Sequence, residues 1–359
     1  MEKYYTRACN FYYGNKSIEK VKNKSALPLN DNKFISFDTL EIITRRYKKK
    51  INIQNINLLS NNLKKKIKKD LNLITKKKYF KKLNFSNFPL LMSVINLTPD
   101  SFSDGGSFNS LDRAVEQAMH LSDAGAAIID IGGESTRPYS EPVSIDEELN
   151  RVIPVIEQVV LRTDVPVSID TSKAVVAAAA MEAGAEIIND VTGLEGDPDM
   201  IRIATETGAG ICAMHMQGNP QNMQDNPSYD EVVNDIHRYL RDRRDRLLEA
   251  GIRHENICLD PGIGFGKTHE HNLTLMQNCY QFLQLGCPIL VGHSRKGFIA
   301  HIMQDKDSDR MPGTAGAAIA LAEQGIHVIR VHDVLAVKHA LMVYRATRQT
   351  HGPENELPG

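Results

Sequence analysis

The stretch VPVSIDTSKAVVAAAAMEAGAEIIND, residues 165–190, contains one complete strand–helix–strand pattern. A run of apolar and β-branched residues ends at Asp170, an alanine-rich segment follows, and a second apolar run ends at Asn189. β-Branched residues favour strands, alanine favours helices, and a glycine such as Gly184 commonly follows the last turn of a helix. The stretch therefore predicts two parallel strands connected by a helix.

The same alternation continues through the chain from residue 89 onward. Apolar runs that predict strands cover residues 90–97, 127–132, 165–170, 186–191, 210–214, 256–260, 288–292 and 327–331. Helix-like segments lie between them, and several end at a glycine: Gly125, Gly184, Gly208, Gly251 and Gly325. Eight such units in roughly 260 residues predict an α/β fold, a (β/α)8 TIM barrel. A doubly wound open sheet is the alternative, because strand order is not visible in a sequence.

The first 88 residues differ sharply from the rest in charge. They carry 22 Lys and Arg against 6 Asp and Glu, whereas the remaining chain carries 21 against 38. We therefore divide the chain into a Lys/Asn-rich N-terminal extension (1–88), the barrel (89–350) and a C-terminal tail (351–359). Within the extension, residues 33–43 predict a strand and residues 56–80 a helix with a basic face.

The lysine clusters of the extension suggest a nucleic-acid site, but aromatic side chains are not interleaved with them for base stacking. We favour a solvated helix face or a poorly ordered extension and predict no nucleic-acid partner. No apolar run approaches the ~18 residues of a membrane span. Cys212 and Cys258 lie in apolar runs, which predicts buried, reduced thiols. These features predict a soluble, cytoplasmic protein with no membrane partner.

Polar and glycine-rich clusters follow the predicted strands directly. In a barrel these positions meet at one rim, where active sites are built. The side-chain carbonyl of Asn96 suits Mg²⁺, a hard cation that also retains water and phosphate ligands. Thr136 and Arg137 can hold an anion. Arg330 and His332 alternate to one face of a strand end and can contact one phosphate.

Three further strand ends carry Asp170, Asn189 and Asp260. Their oxygens and amide match the donors and acceptors along the edge of an aminopyrimidinone ring, and Lys296 can bond the carbonyl and ring nitrogen of such a ring. The neighbouring carboxylates, Asp190 and Asp333, are expected to form structural pairs.

These clusters fit two other kinds of site, a nucleotide-binding loop and a zinc site, less well. The glycine loop at 260–267 fits neither the Walker A nor the Rossmann spacing. His215 and His332 lack further ligands at a zinc-like spacing, so we expect satisfied or anion-binding histidines.

Taken in order, NLTPDSFSDGG, GGESTRP, SIDTSK, IIND, MHMQGNP, DPGIGFGK, SRK and RVHD resemble the dihydropteroate synthases, a pterin-binding TIM-barrel family. The resemblance covers residues 89–347 and not the extension. It implies a transferase that condenses 6-hydroxymethyl-7,8-dihydropterin pyrophosphate with p-aminobenzoate, giving 7,8-dihydropteroate and pyrophosphate in folate biosynthesis. It also implies Mg²⁺, a homodimer and a sulfonamide target.

The resemblance assigns roles to individual residues. It makes Asn96 the metal ligand. It assigns the pterin pyrophosphate site to Thr136, Asp170, Asn189, Met214, Asp260, Phe265, Lys296, Arg330 and His332. It assigns the p-aminobenzoate site to Phe102, Pro138 and Gly297. It makes Asp170, Asp260 and Lys296 catalytic, together with Asp104 and Arg137 on two mobile loops.

Two positions depart from the family pattern. Tyr139 stands where a glycine usually ends the second loop motif. Gly297 stands where many members have a serine expected to hold the p-aminobenzoate carboxylate, so a backbone N–H is expected to take that role.

The residues show no nucleophile with a paired base, so we expect an SN1-like path. The nearest rival is a pterin-dependent methyltransferase on the same barrel, which has no need of the site at Arg330 and His332. A non-catalytic pterin-binding or nucleic-acid-binding protein is a rival of another class.

Overall fold

The computed structural model describes residues 5–44, 47–85, 89–97, 107–305 and 307–348. Residues 5–85, here called the N-terminal unit, form β1 (Tyr5–Tyr13), α1 (Gly14–Lys22), β2 (Leu27–Leu29), β3 (Asn32–Ile43), β4 (Lys48–Asn52) and α2 (Asn61–Thr75). β3 is central: β1 pairs antiparallel with one of its edges, and β2 and β4 pair with the other.

The strand predicted at 33–43 is confirmed, whereas the helix is shorter than the predicted 56–80. A 3-10 helix occupies Ile53–Leu58, and the chain becomes extended at Lys76. The exposed lysines of α2 form a solvated helix face, as expected, and the alternative of a poorly ordered extension is wrong for the described residues. The reason is a buried apolar set that includes Phe37, Leu40 and Ile67, because such a set favours a folded unit.

The second sheet confirms the barrel and excludes the open sheet. Its strands are β5 (Leu90–Asn96), β6 (Ile128–Gly132), β7 (Val167–Asp170), β8 (Ile187–Asp190), β9 (Gly210–Met214), β10 (Ile257–Asp260), β11 (Leu290–Gly292) and β12 (Val328–Val331). The order is β10-β9-β8-β7-β6-β5-β12-β11. A parallel bridge between Leu259 and Ile289 joins the two ends of that order.

Helices follow the barrel strands on the outside. They are α3 (Ser107–Asp123), α4 (Ile145–Val160), α5 (Ala174–Glu182), α6 (Met200–Thr207), α7 (Val232–Glu249), α8 (His269–Asn278), α9 (Gly297–Met303), α10 (Met311–Glu323) and α11 (Val334–Arg348). The five glycines predicted to follow helices all have positive φ, which confirms them as caps. Among the described residues, no helix has both the length and the apolar character to span a membrane.

The end of the barrel opposite the predicted active site is closed by the N-terminal unit. Phe80 and Phe85 are buried in one cluster with interior side chains of the barrel strands: Met92, Ile128, Ile187, Cys212, Cys258, Leu290 and Val328. Cys212 and Cys258 are buried free thiols, as predicted.

The N-terminal unit also packs against the flank of the barrel through buried polar contacts. The Asp70 carboxylate accepts hydrogen bonds from Thr6 Oγ1 at 2.9 Å and from Gln284 Nε2 at 3.0 Å. Arg7 Nη1 donates to the Tyr280 hydroxyl at 2.8 Å. These contacts make the unit an integral part of the folded chain.

Candidate active site

Four polar side chains converge inside the barrel near the carboxyl ends of its strands. Asp170, Asn189 and Asp260 are the inward-facing residues at or next to the ends of β7, β8 and β10, and they are 7%, 6% and 5% exposed. Arg330 enters from β12 and donates from Nη2 to Asp170 Oδ2 at 2.6 Å. The structure thus brings together the predicted floor of the pterin site.

Asp130, a residue that the sequence analysis missed, lies beneath this floor. Its Oδ2 accepts hydrogen bonds from Arg330 Nε at 2.7 Å and from Asn189 Nδ2 at 3.0 Å. The signal in the sequence was a lone carboxylate within the apolar run 127–132. Such a residue inside a strand needs a partner when buried.

Burial dominates the protonation of this pocket, because an apolar surrounding disfavours charge. It raises the pKa of Asp170 to about 7, with Arg330 opposing the rise and Asp130 adding to it. It raises the pKa of Asp260 to about 6, although the Gly262 N–H donates to that carboxylate at 2.7 Å. It lowers the pKa of Lys296 to about 7.

Lys296 reaches this floor across the glycine loop that follows β10. Its ammonium group donates to the Ile263 carbonyl and lies 4.3 Å from the centroid of the Phe265 ring. Gly264 has φ of +85°, and a Cβ at that position would lie 2.7 Å from Lys296 Cδ. With Met214 buried at the end of β9, the loop supplies the apolar walls expected of a site for a flat ring.

The loop after β6 carries Thr136, Arg137 and Pro138, and its start and its end are both anchored. At its start, Glu134 accepts a hydrogen bond from Lys173 Nζ at 2.6 Å. At its end, the Tyr139 N–H donates to the Pro220 carbonyl at 2.9 Å, and the Tyr139 hydroxyl donates to Asp225 at 3.1 Å.

Tyr139 has φ of +63°, in the left-handed region. Glycine adopts that region without a steric penalty. The conformation explains why glycine suits this position elsewhere in the family pattern.

His332 lies at the end of β12, where its Nδ1 is 3.0 Å from Ser294 Oγ. Burial lowers its pKa to about 4, and the positive charges of Arg330 and Arg295 lower it further. Two nitrogens of Arg330, Nε and Nη2, donate hydrogen bonds to the carboxylates of Asp130 and Asp170. Contact of both residues with one phosphate stays a prediction.

The two carboxylates predicted to form structural pairs have such partners, and His215, predicted to be satisfied or to bind an anion, is satisfied within the protein. Asp190 accepts from the Thr192 and Leu194 amides, and Asp333 pairs with Arg295. His215 Nδ1 lies 3.0 Å from Lys267 Nζ. These three predictions are confirmed.

A family model described as "Pterin binding enzyme" matches residues 92–332. Dihydropteroate synthase of Escherichia coli K12 is 47% identical over 259 residues, covering 72% of this chain and 92% of the relative. The Haemophilus influenzae enzyme is 45% identical, with 72% and 94% covered. A Yersinia pestis dihydropteroate synthase structure with a sulfonamide drug superposes with a TM-score of 0.69 at 44% identity, covering 74% of this chain and 96% of that one.

The chain belongs to the dihydropteroate synthase family. Its activity is therefore that of a dihydropteroate synthase, a transferase of folate synthesis, and the methyltransferase and the non-catalytic binding protein are set aside. The matched region begins after the N-terminal unit, as the resemblance indicated.

The remaining residues expected of a dihydropteroate synthase lie at the same rim or outside the described residues. Asn96 ends β5 in register with Gly132. Gly297 is exposed as the first residue of α9, so its N–H belongs to a helix N-terminus. Phe102 and Asp104 lie outside the residues that the structure describes.

Proposed function

We propose that this dihydropteroate synthase joins its substrates by an SN1-like path in the pocket of Asp170, Asp260, Lys296 and Arg330. One observation carries the proposal: two buried carboxylates meet two cations at the mouth of the barrel. A pocket of this kind matches a flat, polar-edged ring that becomes positive during the reaction.

The pterin ring is bound by acceptors with fixed directions. Asn189 Nδ2 is engaged by Asp130, so its Oδ1 is presented to the ring as an acceptor. Asp170 and Asp260 accept from ring N–H and amino groups, and Lys296 donates to the ring carbonyl. Met214 and Phe265 contact the ring faces, and Thr136, Arg330 and His332 contact the pyrophosphate.

In the reaction, the bond between the pterin methylene and the pyrophosphate oxygen breaks, and its electron pair leaves with pyrophosphate. Asp170 and Asp260 stabilise the positive charge left on the pterin. The p-aminobenzoate nitrogen then forms the new C–N bond and releases one proton. Phe102, Asp104, Arg137, Pro138 and the Gly297 N–H hold p-aminobenzoate in place.

The side-chain carbonyl of Asn96, at the end of β5, fits Mg²⁺. In the described part of the chain, no group of three or more His, Cys, Asp or Glu could hold a metal. A single amide oxygen at the rim suits a cation that retains waters and substrate phosphates. Mg²⁺ held by Asn96 would neutralise charge on the pyrophosphate. Excess chelator should abolish turnover and leave weak pterin binding measurable by calorimetry, and full activity in chelator would contradict this assignment.

Positional isotope exchange tests the path. Pterin pyrophosphate carrying ¹⁸O between the methylene carbon and phosphorus is incubated with the enzyme and Mg²⁺ without p-aminobenzoate. We expect the label in recovered substrate to move to non-bridging positions, because ionisation frees the oxygens to exchange places before return. If the label stays in the bridge in this incubation, while a parallel assay with p-aminobenzoate forms dihydropteroate, the activity stands and the SN1-like path is overturned.

We also propose a homodimer that uses one face of α11. Leu335, Met342 and Val343 are exposed there, and their spacing puts them on the same side of the helix. Light scattering should give a dimer for the parent and a monomer for Val343→Glu. Leu161→Glu, at an exposed leucine beyond α4, is the matched control and should stay dimeric. A monomeric parent would contradict the proposal.

We place the enzyme in the cytoplasm. Its five cysteines are free, and Cys212 and Cys258 stay unpaired although they are register partners on adjacent strands. Free thiols of this kind are typical of reducing compartments. Cell fractionation should recover the enzyme with cytoplasmic markers, and recovery with an exported or membrane fraction would contradict the assignment.

A further inference from the structure

Asp130 is a buried polar residue of the pocket that has no direct contact with substrate in the proposed chemistry. Its side chain has no exposure, and it lies on β6 in register with Val94 and Ser168. The next inward position towards the rim on the same strand is Gly132, in register with Asn96 and Asp170. Asp130 therefore lies one layer below the residues that contact substrate.

One oxygen of Asp130 controls two of those residues. Oδ2 accepts from both Asn189 Nδ2 and Arg330 Nε, at 3.0 and 2.7 Å. The first bond decides which end of the Asn189 amide faces the ring. The second, together with the bond from Arg330 Nη2 to Asp170, fixes the plane of the guanidinium at both ends.

The other oxygen, Oδ1, is buried and accepts no hydrogen bond within the described residues. A buried carboxylate with an empty acceptor is expensive for folding. A contribution to stability therefore explains poorly why a carboxylate lies at this position. Orientation of the substrate-binding side chains explains it better, because such side chains bind best when neighbouring groups hold them in one rotamer.

We infer that Asp130 is a positioning residue of this enzyme, which orients Asn189 and Arg330 for pterin pyrophosphate without touching it. The inference rests on the assigned pterin site and concerns only the support beneath it. It predicts a selective defect: pterin pyrophosphate should be affected and p-aminobenzoate should not.

Two substitutions separate the charge of Asp130 from its hydrogen bonds. Asp130→Asn can keep an oxygen at the Oδ2 position, so both bonds survive without the charge. Asp130→Ala removes both bonds. We expect kcat/KM for pterin pyrophosphate to fall about 3- to 10-fold in Asp130→Asn and about 100-fold in Asp130→Ala. The Michaelis constant for p-aminobenzoate should stay within about 3-fold of the parent in both.

Ser168→Ala is the matched control, since Ser168 is a buried register neighbour whose hydroxyl has no partner among the described residues. Its kinetic constants should equal those of the parent. A double-mutant cycle of Asp130→Ala with Asn189→Ala completes the test. If Asp130 acts partly through Asn189, the combined loss is smaller than the product of the single losses by at least about 3-fold.

Three results would overturn the inference. One is an equal rise of both Michaelis constants, and another is a cycle in which the two losses multiply. The third is failure of both Asp130 variants to fold, because that would show a carboxylate required by the barrel itself. A graded loss confined to pterin pyrophosphate would support it.

Discussion

The two ends of the barrel are built from opposite kinds of side chain. At the rim, Asp170, Asn189, Asp260 and Arg330 are polar groups held in a pocket. At the other end, Phe80 of the N-terminal unit packs on an apolar layer of strand residues. One end concentrates charge where a substrate can use it, and the other end concentrates buried hydrocarbon.

This difference separates activity from stability. Burial raises the pKa values of Asp170 and Asp260 and lowers that of Lys296, because it disfavours the charged form of each group. Burying one large apolar side chain contributes roughly 1.5–3 kcal/mol to folding. Substitutions at the rim should therefore change catalysis, and substitutions at the opposite end should change the free energy of unfolding.

The largest effect is expected for Asp170→Asn. The amide keeps the size of the side chain and removes the charge that would stabilise the proposed pterin cation, so kcat/KM should fall about 100- to 1,000-fold. Asp333→Asn is the control, because Asp333 is a rim carboxylate paired with Arg295, and its kcat/KM should stay within about 3-fold. Similar losses in both variants would show that rim charge in general, and not the floor, governs activity.

The same variant should also change how stability depends on pH. A carboxyl whose pKa is raised by folding, here to about 7, favours the folded state at low pH. That contribution is lost as pH rises from about 4 towards 7. Asp170→Asn lacks it, so its stability relative to the parent should increase between pH 5 and pH 8 in urea unfolding. An unchanged difference at the two pH values would contradict the assigned shift.

At the opposite end, Phe80→Ala should lower the free energy of unfolding without changing the kinetic constants. Phe80 is fully buried, and such truncations cost about 3–5 kcal/mol. Its kcat and both Michaelis constants should stay within about 2-fold of the parent at a temperature where it is folded. Phe34→Ala, at a phenylalanine of the same unit that is 50% exposed, should cost less than about 0.5 kcal/mol. Equal losses of unfolding free energy in Phe80→Ala and Phe34→Ala would contradict the conclusion that Phe80 closes the barrel.

The sequence predicted the rim better than the opposite end, for a physical reason. Parallel strands put their carboxyl ends together, so clusters after Asp170, Asn189 and Asp260 had to meet once the barrel was predicted. Docking of the N-terminal unit depends on long-range contacts such as Asp70 with Gln284, which leave no periodic pattern. Asp130 was missed because it is a single polar residue within an apolar strand.

A smaller effect is expected for Lys173→Met. Lys173 anchors the loop after β6 through Glu134 and also pairs with the buried Glu148. Its loss should raise the p-aminobenzoate Michaelis constant about 3- to 10-fold and cost about 1–3 kcal/mol. The control, Lys82→Met, breaks an exposed ion pair with Glu186 at the other end and should cost at most about 1 kcal/mol. Equal p-aminobenzoate Michaelis constants in the two variants would show that Lys173 does not position the loop.

The smallest effect is expected for Tyr139→Gly. Glycine relieves the left-handed conformation by about 1 kcal/mol. It also loses the bond from the Tyr139 hydroxyl to Asp225 and adds freedom to the unfolded chain. Stability and the p-aminobenzoate Michaelis constant should therefore change little, within about 0.5 kcal/mol and 3-fold. A tenfold rise in that Michaelis constant would show that the Tyr139 contacts hold the loop in its working position.

The division of labour between the two ends is tested most directly by the double variant Asp170→Asn/Phe80→Ala. Its free energy of unfolding and its kcat/KM should be measured on one preparation beside both single variants. If the two ends are independent, the losses measured for the two single variants should add to within about 0.5 kcal/mol in the double variant, since substitutions without shared partners are additive. The double variant should then combine the instability of Phe80→Ala with the kinetics of Asp170→Asn. A coupling above about 1 kcal/mol in either quantity would contradict the account.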